Sequence, residues 1–370
     1  MNRRTLTWMA LTAPLTLLAI LLLVSAVTLE GRLAALFALL FALAPALALA
    51  ARRSASLASI VALLACGAVL VARAPSGTTL PDAHTRAVYL LGGGASRLAP
   101  TNVVPEVDQL GLATWLVWIP DPTMSFASAS RLRGAIRSAY APGRDDPEVR
   151  ALGSALGDAI TDRDTGRMFV YEPSHAPGER RPAVLFLHGS AGSWKGYFLS
   201  QRAIFERRRV GLAQPSFGFG DWNRPGGVES VERARRWLAS QPWVDPSRIY
   251  LACLSNGGRA VTRILRHDPA RYRGLIFYSA VIEPRVLDGS PLDPSWAGVP
   301  ALVLHGERDD RIAREYADDG VGALREQSLV VRYVTVPDED HYLIFTAPDR
   351  VASEVSSWFD EVERDARRAR

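Results

Sequence analysis

The sequence predicts a protein of the α/β class: a mostly parallel, doubly wound sheet preceded by about three transmembrane helices. The beginning of the chain consists almost entirely of long apolar runs. Over the last half, short apolar runs alternate with helical patterns, as in parallel sheets whose strands are joined by helices. One of those runs ends at a serine that is followed by glycines and a helix, which indicates a sharp strand-to-helix turn.

Three apolar runs near the amino terminus carry no charged residue: 5–29, 33–51 and 55–72. A spanning helix needs about 20 such residues, so each run is a candidate, the third being the shortest. Arg3 and Arg4 precede the first run, and Arg52 and Arg53 follow the second, which predicts a cytoplasmic amino terminus. Three crossings then place the rest of the chain outside the cytoplasm, at a bacterial-type inner or plasma membrane. The alternatives are two crossings, which leave it inside, and cleavage near Ser25 as a signal peptide.

The chain of 370 residues divides into three predicted parts. Residues 1–73 form the transmembrane region, 74–160 a linker and a mainly helical, cap-like region, and 161–370 the domain that contains the predicted sheet. The last part is long enough to bury one large core.

The composition limits the range of partners and cofactors. The formal net charge is +5, but Lys195 is the only lysine, so the basic balance reflects arginine usage more than a nucleic-acid surface. The two cysteines, Cys66 in an apolar run and Cys253 in a strand, are not expected to pair. No histidine and cysteine cluster has the spacing of a metal site. We therefore expect no metal and no nucleic-acid partner, while the sequence leaves the oligomeric state open.

Ser255 is the predicted nucleophile. The run 248–253 has the composition of a buried parallel strand, and 256–267 has helical spacing. Small residues are needed two positions before and after a serine in such a turn, because the flanking chain passes very close by. Gly257 fills the second position, and Cys253 stands in the first.

The partners of the serine follow two later strands. The run 300–304 precedes the loop with Asp309, and the run 329–336 precedes the loop with His341. Loops at the carboxyl ends of parallel strands share one edge of the sheet, where ligands bind. The sequence therefore predicts that Ser255, Asp309 and His341 meet at this edge.

The chemistry of these side chains gives each a role. His341 would take the proton of Ser255 and return it to the leaving group. Asp309 would hold the imidazole in the required tautomer and stabilise its charged form. Asp310 and Glu283 are the alternatives for the acid.

An oxyanion hole is expected beside the nucleophile, since a tetrahedral intermediate needs hydrogen-bond donors. The backbone N–H of Asn256 would be one donor. The strand 183–187 runs into the loop 188–192, where the N–H of Ser190 would be the second donor and Ala191 is the alternative.

A substrate pocket is expected at the loop that follows the strand near 210–213. Phe217 and Trp222 lie in this loop and are the candidate walls of an apolar acyl or aryl pocket. Ordinary loop packing is the alternative.

Residues 168–366 resemble an α/β-hydrolase, on the motifs around Ser255, Asp309 and His341 together with the segment 243–258. Two branches are similar: the dienelactone hydrolase and prolyl oligopeptidase group, and the feruloyl esterase and polyhydroxyalkanoate depolymerase group. Both usually have glycine where this chain has Cys253. The resemblance implies a cofactor-free serine hydrolase.

The predicted function is a membrane-anchored serine hydrolase that cleaves carboxylic esters through an acyl-enzyme at Ser255. Its substrate would be a small-molecule or lipid-like ester, and its other partner the bilayer. A peptidase of the prolyl oligopeptidase type is one alternative, although the residues before the catalytic part are too few for a propeller. An acyltransferase with the same triad is another. A pseudoenzyme is disfavoured because all three side chains are present.

Overall fold

The computed structural model describes residues 3–49, 53–75, 80, 82–92, 94, 100–116 and 124–368. The chain forms two compact units. The helical unit comprises Met1–Gly77, Ala95–Arg137 and Ala151–Ser154, and the sheet unit comprises Thr78–Gly94, Ser138–Arg150 and Ala155–Arg370. The segment predicted as linker and cap-like region contributes residues to both units.

The helical unit begins with helices α1 (Arg3–Ser25), α2 (Leu29–Leu49) and α3 (Arg53–Arg73). Among the described residues, these three helices are long and apolar enough to cross a membrane. An ion pair of 2.6 Å joins Glu30 at the start of α2 to Arg73 at the end of α3. The turn between α1 and α2 therefore lies at the same end of the three helices as the end of α3.

Three further helices follow: α4 (Pro100–Val103), α5 (Glu106–Leu116) and α6 (Phe126–Tyr140), of which α6 continues into the sheet unit. Asp108 on α5 is buried, and its carboxylate accepts hydrogen bonds from the Val27 N–H at 2.7 Å and from the Thr28 hydroxyl. Burial raises the pKa of Asp108, and these hydrogen bonds oppose the rise. The carboxylate therefore fastens α5 to the turn between α1 and α2.

The sheet unit contains eight strands: β1 (Thr85–Tyr89), β2 (Arg167–Tyr171), β3 (Arg181–Leu187), β4 (Gly211–Pro215), β5 (Val244–Leu254), β6 (Leu275–Tyr278), β7 (Pro300–Gly306) and β8 (Val330–Val336). Their order is β1-β2-β4-β3-β5-β6-β7-β8. β2 is antiparallel to both its neighbours, and all other pairs are parallel. The predicted fold class, an α/β-hydrolase fold with a mostly parallel sheet, is confirmed.

The remaining helices connect and cover the strands: α7 (Pro147–Ala151), α8 (Leu156–Thr161), α9 (Lys195–Phe205), α10 (Gly227–Ala239), α11 (Gly257–His267), α12 (Pro284–Leu287), α13 (Arg314–Glu326), α14 (Leu343–Thr346) and α15 (Pro348–Arg368). The central strands β3, β5 and β6 are almost wholly buried over their apolar runs, which explains why those runs are continuous. The loops that follow β3, β4, β5, β7 and β8 meet at the carboxyl edge of the parallel strands.

Candidate active site

Ser255 occupies the turn between β5 and α11. Its φ is +51°, a left-handed conformation that is uncommon for a residue with a side chain. The Ser255 N–H donates to the Tyr278 carbonyl at 3.1 Å, and the Ser255 carbonyl accepts from the Val281 N–H at 3.0 Å. These hydrogen bonds to the end of β6 and the residues after it hold the strained turn.

Two glycines let the backbone pass close to the serine. A Cβ on Gly189 would lie 2.9 Å from the Ser255 Cβ, and a Cβ on Gly257 would lie 2.7 Å from the Leu187 carbonyl oxygen. A side chain at either position would therefore push the loop after β3 away from Ser255. These close approaches explain the glycines around the predicted elbow.

The two cysteines are free and buried. Cys253 lies in β5 opposite Leu187, and burial raises the pKa of its thiol, so it remains a protonated core residue.

Among the described residues, no group of three or more histidines, cysteines or acids is arranged to hold a metal ion. The imidazole and carboxylate groups near Ser255 bond to one another instead.

The structure brings Ser255, His341 and Asp309 into one hydrogen-bonded series. The Ser255 hydroxyl lies 3.0 Å from His341 Nε2. His341 Nδ1 lies 2.9 Å and 3.2 Å from the two carboxylate oxygens of Asp309. With the Nδ1 proton donated to the acid, Nε2 is free to accept the proton of the serine.

Asp309 is held as a carboxylate in a buried position. It accepts hydrogen bonds from the backbone N–H groups of Arg311 at 3.0 Å and Ile312 at 2.9 Å. Burial alone would raise its pKa, but the hydrogen bond and charge of His341, together with the Ile312 N–H, outweigh burial and lower it. A negatively charged Asp309 would stabilise an imidazolium ion at His341.

The two alternative acids lie elsewhere. Asp310 is exposed to solvent. Glu283 forms an ion pair of 2.6 Å with Arg263 on α11. Asp309 is therefore the carboxylate that contacts His341.

His305, at the end of β7, supports the loop of the acid. It is buried, and its Nε2 lies 3.0 Å from the Ile312 carbonyl oxygen, a hydrogen-bond distance. The same nitrogen lies 3.8 Å from the Asp309 carboxylate. Burial lowers the pKa of His305, which favours the neutral ring. The sequence alone assigns this residue no role, although its place four residues before Asp309 is visible there.

The predicted oxyanion donors lie on two loops that contact each other. Ser190 follows β3, and Asn256 follows Ser255; the Asn256 side-chain amide donates to the Ser190 hydroxyl at 2.7 Å. In the part of the chain that the structure describes, neither backbone N–H has an acceptor. Both remain available to an oxyanion. Ala191, the alternative donor, has a φ of +72°, which turns the loop back after Ser190.

A buried histidine fastens the loop that carries Ser190. The Nδ1–H of His188 donates to the Gly189 carbonyl at 2.7 Å, and its Nε2 accepts the Phe217 N–H at 3.1 Å. Complete burial lowers the pKa of His188 to about 4, so the ring is neutral at physiological pH. Its two hydrogen bonds connect the loops after β3 and β4. In the sequence this histidine is visible only as part of a glycine turn.

Phe217 and Trp222 lie in the predicted loop after β4, but their side chains are buried and do not form pocket walls. They are 1% and 0% exposed, and their rings stack with centroids 5.1 Å apart. Trp222 Nε1 donates to the His188 carbonyl at 2.9 Å. Both side chains therefore support the loop of Ser190 from inside the core, and the expected pocket walls are corrected to core residues. Phe219, in the same loop, is 52% exposed.

Comparisons with known proteins give distant matches. No protein-family profile matches the chain. A probable dipeptidyl-peptidase 5 of Aspergillus clavatus is 23% identical over 283 residues, which cover 63% of this chain and 38% of that protein. The chain thus spans well under half the length of this relative.

Similar solved structures include a thermophilic esterase of Thermogutta terrifontis, with a TM-score of 0.43 and 17% identity. The match covers 52% of this chain and 86% of the esterase chain. A hyperthermophilic esterase of Pyrobaculum calidifontis has a TM-score of 0.44 and 19% identity over 54% of this chain and 81% of its own. A putative dipeptidyl aminopeptidase IV of Bacteroides ovatus has a TM-score of 0.43 and 13% identity over 53% of this chain and 33% of its own. With TM-scores below 0.5, these similarities support no argument about this chain. Its fold class rests on its own strand order.

Proposed function

We propose that this chain, an α/β-hydrolase by its fold, is a membrane-anchored serine hydrolase that cleaves carboxylic esters through an acyl-enzyme at Ser255. The observation that carries the proposal is the hydrogen-bonded series from the Ser255 hydroxyl through His341 to Asp309. One end of this series is a buried carboxylate, and the other is a hydroxyl on a residue that solvent reaches. Such a series activates an otherwise weak nucleophile.

In the first half-reaction, Ser255 Oγ forms a bond to the ester carbonyl carbon while His341 Nε2 takes the hydroxyl proton. The carbonyl electron pair moves to oxygen, and the N–H groups of Asn256 and Ser190 stabilise the resulting oxyanion. When the intermediate collapses, the bond to the leaving alcohol breaks and His341 gives that alcohol the proton. Asp309 orients the imidazole and stabilises its transient positive charge.

The second half-reaction repeats the first with water. His341 takes one proton from water as the water oxygen attacks the acyl carbon. The new intermediate expels Ser255 Oγ, which regains its proton from His341, and a carboxylic acid leaves. An alcohol in place of water would give acyl transfer by the same steps.

Helices α1 to α3 are proposed to anchor the chain in a plasma membrane, with the amino terminus in the cytoplasm and Ser255 outside. Arg3 and Arg4 favour this orientation by the positive-inside rule. The ion pair between Glu30 and Arg73 supports three antiparallel crossings, because it joins the start of α2 to the end of α3. A reporter fused after Leu80 tests the topology; activity of a cytoplasm-only reporter there would contradict it.

A peptidase is the second candidate, because the curated relative is a probable dipeptidyl-peptidase. The same three side chains would serve an amide substrate, with a leaving amine in place of the alcohol. Hydrolysis of a short aryl ester compared with a dipeptide Pro-anilide separates the two candidates. We expect turnover of the ester; turnover of the anilide alone would favour the peptidase.

Labelling of the full-length protein with a fluorophosphonate tests the nucleophile. Wild type should label, and Ser255→Ala should not. Ser247→Ala is the matched control, since Ser247 is exposed near the amino end of β5. Equal labelling of wild type and Ser255→Ala would remove the serine-hydrolase proposal.

A further inference from the structure

Two large apolar side chains of the sheet unit are exposed on segments that touch the loop of Ser190. Ile160, in α8, is 71% exposed, and Phe219, in the loop after β4, is 52% exposed. The aromatic rings on either side of Phe219 in sequence, Phe217 and Trp222, are buried. The loop therefore turns one of its three large aromatic side chains out of the core.

Close backbone packing connects Phe219 to the nucleophile. The next residue, Gly220, has a φ of +98°, and a Cβ there would collide with the Gly189 carbonyl oxygen. Gly189 in turn lies against Ser255, since a Cβ on it would lie 2.9 Å from the Ser255 Cβ. The loop of Phe219, the loop of Ser190 and the nucleophile are thus packed directly against one another in series.

Ile160 reaches the same loop from the other direction. A Cβ on Gly192, two residues after Ser190, would collide with the Ala159 side chain. Ala159 immediately precedes Ile160 in α8. Both exposed side chains therefore belong to segments that contact the stretch 189–192.

The backbone at Phe219 is fixed by a hydrogen bond to Asp162. The Phe219 N–H donates to the Asp162 carboxylate at 2.8 Å, and Asp162 also forms an ion pair with Arg224, farther along the same loop. Asp162 directly follows α8 and has a left-handed φ of +49°. One carboxylate thus joins the segment of Ile160 to two points of the loop of Phe219, and it fixes the backbone that carries the exposed ring.

We propose that Phe219 and Ile160 form the apolar contact surface for a hydrocarbon chain of the ester substrate. This inference rests on the proposed function. Covering an exposed phenyl ring lowers the free energy of the complex. The packing of the Phe219 loop on Gly189, and of Gly189 on Ser255, points to the substrate as the ligand that covers this ring. A hydrocarbon chain of this kind can be part of the acyl group or of the alcohol, and the experiment below separates these two sources.

The test uses the full-length protein in nanodiscs with two substrate series: vinyl acetate, butyrate and octanoate for the acyl part, and ethyl and octyl acetate for the alcohol part. We expect wild type to prefer the longer ester in one series. Phe219→Ala should lower kcat/KM for that longer ester by about tenfold and leave vinyl acetate within about twofold, because only apolar contact is lost. Ile160→Ala should act in the same direction, and Phe219→Leu should retain most of the preference.

Val330→Ala is the matched control. Val330 is 62% exposed, but it begins β8 at the opposite edge of the sheet from Ser255. A wild type that hydrolyses esters without chain-length preference, or a Val330→Ala variant that loses as much as Phe219→Ala, would overturn the inference. Absence of ester hydrolysis together with absence of Ser255 labelling overturns the proposed function itself, which is a different result.

Discussion

The side-chain amide of Asn256 donates a hydrogen bond of 2.7 Å to the hydroxyl of Ser190. This contact joins the residue after the proposed nucleophile to the loop after β3, so the two proposed oxyanion donors are held at a fixed separation by their own side chains. Oxyanion stabilisation depends on donors that are already in place when charge develops. We therefore expect the contact between Asn256 and Ser190 to increase the rate of the proposed reaction.

Removing this contact should lower kcat more than it changes KM. A neutral hydrogen bond contributes about 0.5–1.5 kcal/mol, so Ser190→Ala and Asn256→Ala should each lower kcat by roughly threefold to tenfold. Both variants keep the backbone N–H groups. The double variant should lose little more than either single one, because the two residues share one interaction. Fully additive losses, or a change confined to KM, would show that the contact does not position the donors.

Asp309→Asn should lower kcat by about 10⁴ with the fold intact, as loss of the orienting acid does in the serine-protease template. The amide still accepts from the backbone at Ile312 but no longer stabilises a charged His341. Asp310→Asn is the matched control, since Asp310 is an exposed neighbour. Comparable losses in the two variants would mean that the acid has been misassigned.

Stability should fall at acid pH because His188 is buried as the neutral ring. Its folded pKa of about 4 lies below the ordinary value of 6.5, so the unfolded chain binds the proton first as pH falls. The stabilisation is complete above about pH 6.5 and is lost as pH falls towards 4, by ~3 kcal/mol at most.

His188→Gln isolates this effect from that of the carboxylates. The glutamine has no proton to gain in this range, so the variant should lose less stability than wild type between neutral and acid pH. Thermal unfolding of both proteins over this range gives the comparison. If the unfolding temperatures of wild type and variant fall equally with pH, protonation of His188 contributes nothing to the loss of stability.

Gly31→Ala should destabilise the helical unit. An added Cβ would collide with the Asp108 carboxylate, which would then lose its bonds to the Val27 N–H and the Thr28 hydroxyl. Loss of buried hydrogen bonds of this kind costs about 1–3 kcal/mol.

Gly134→Ala is the control for that substitution. Gly134 lies in α6, and among the described residues no atom apart from its chain neighbours and the nearby backbone of α6 comes within 4 Å of the position that an added Cβ would take. Alanine should therefore be neutral or stabilising there. Resistance of each variant to proteolysis in nanodiscs provides the measurement. Equal resistance of the two variants to proteolysis would show that the hydrogen bonds of Asp108 do not stabilise the helical unit.

The sequence predicted which loops lie together at the edge of the sheet. It did not predict which side chains within a loop are buried. The elbow at Ser255 and the proximity of Asp309 and His341 follow from strand order, because every parallel strand delivers its next loop to one edge. Loop side chains have no such periodicity, so nothing in the sequence distinguishes buried Phe217 from exposed Phe219.

The buried histidines were missed for a different reason. His188 and His305 act through backbone carbonyls and N–H groups of residues whose positions are set only by tertiary packing. A histidine beside a glycine in sequence is equally compatible with a surface turn. Only the bonds that the ring forms in the folded chain identify it as a support.

The most direct test is to locate the acyl group on the protein during turnover. The full-length protein is mixed with an activated acetate ester, quenched with acid, digested and analysed by mass spectrometry. We predict acetylation of the peptide that contains Ser255, and loss of that acetylation in Ser255→Ala. An acetyl group on any other residue, with Ser255 unmodified while the ester is consumed, would contradict the assignment of Ser255 as the nucleophile.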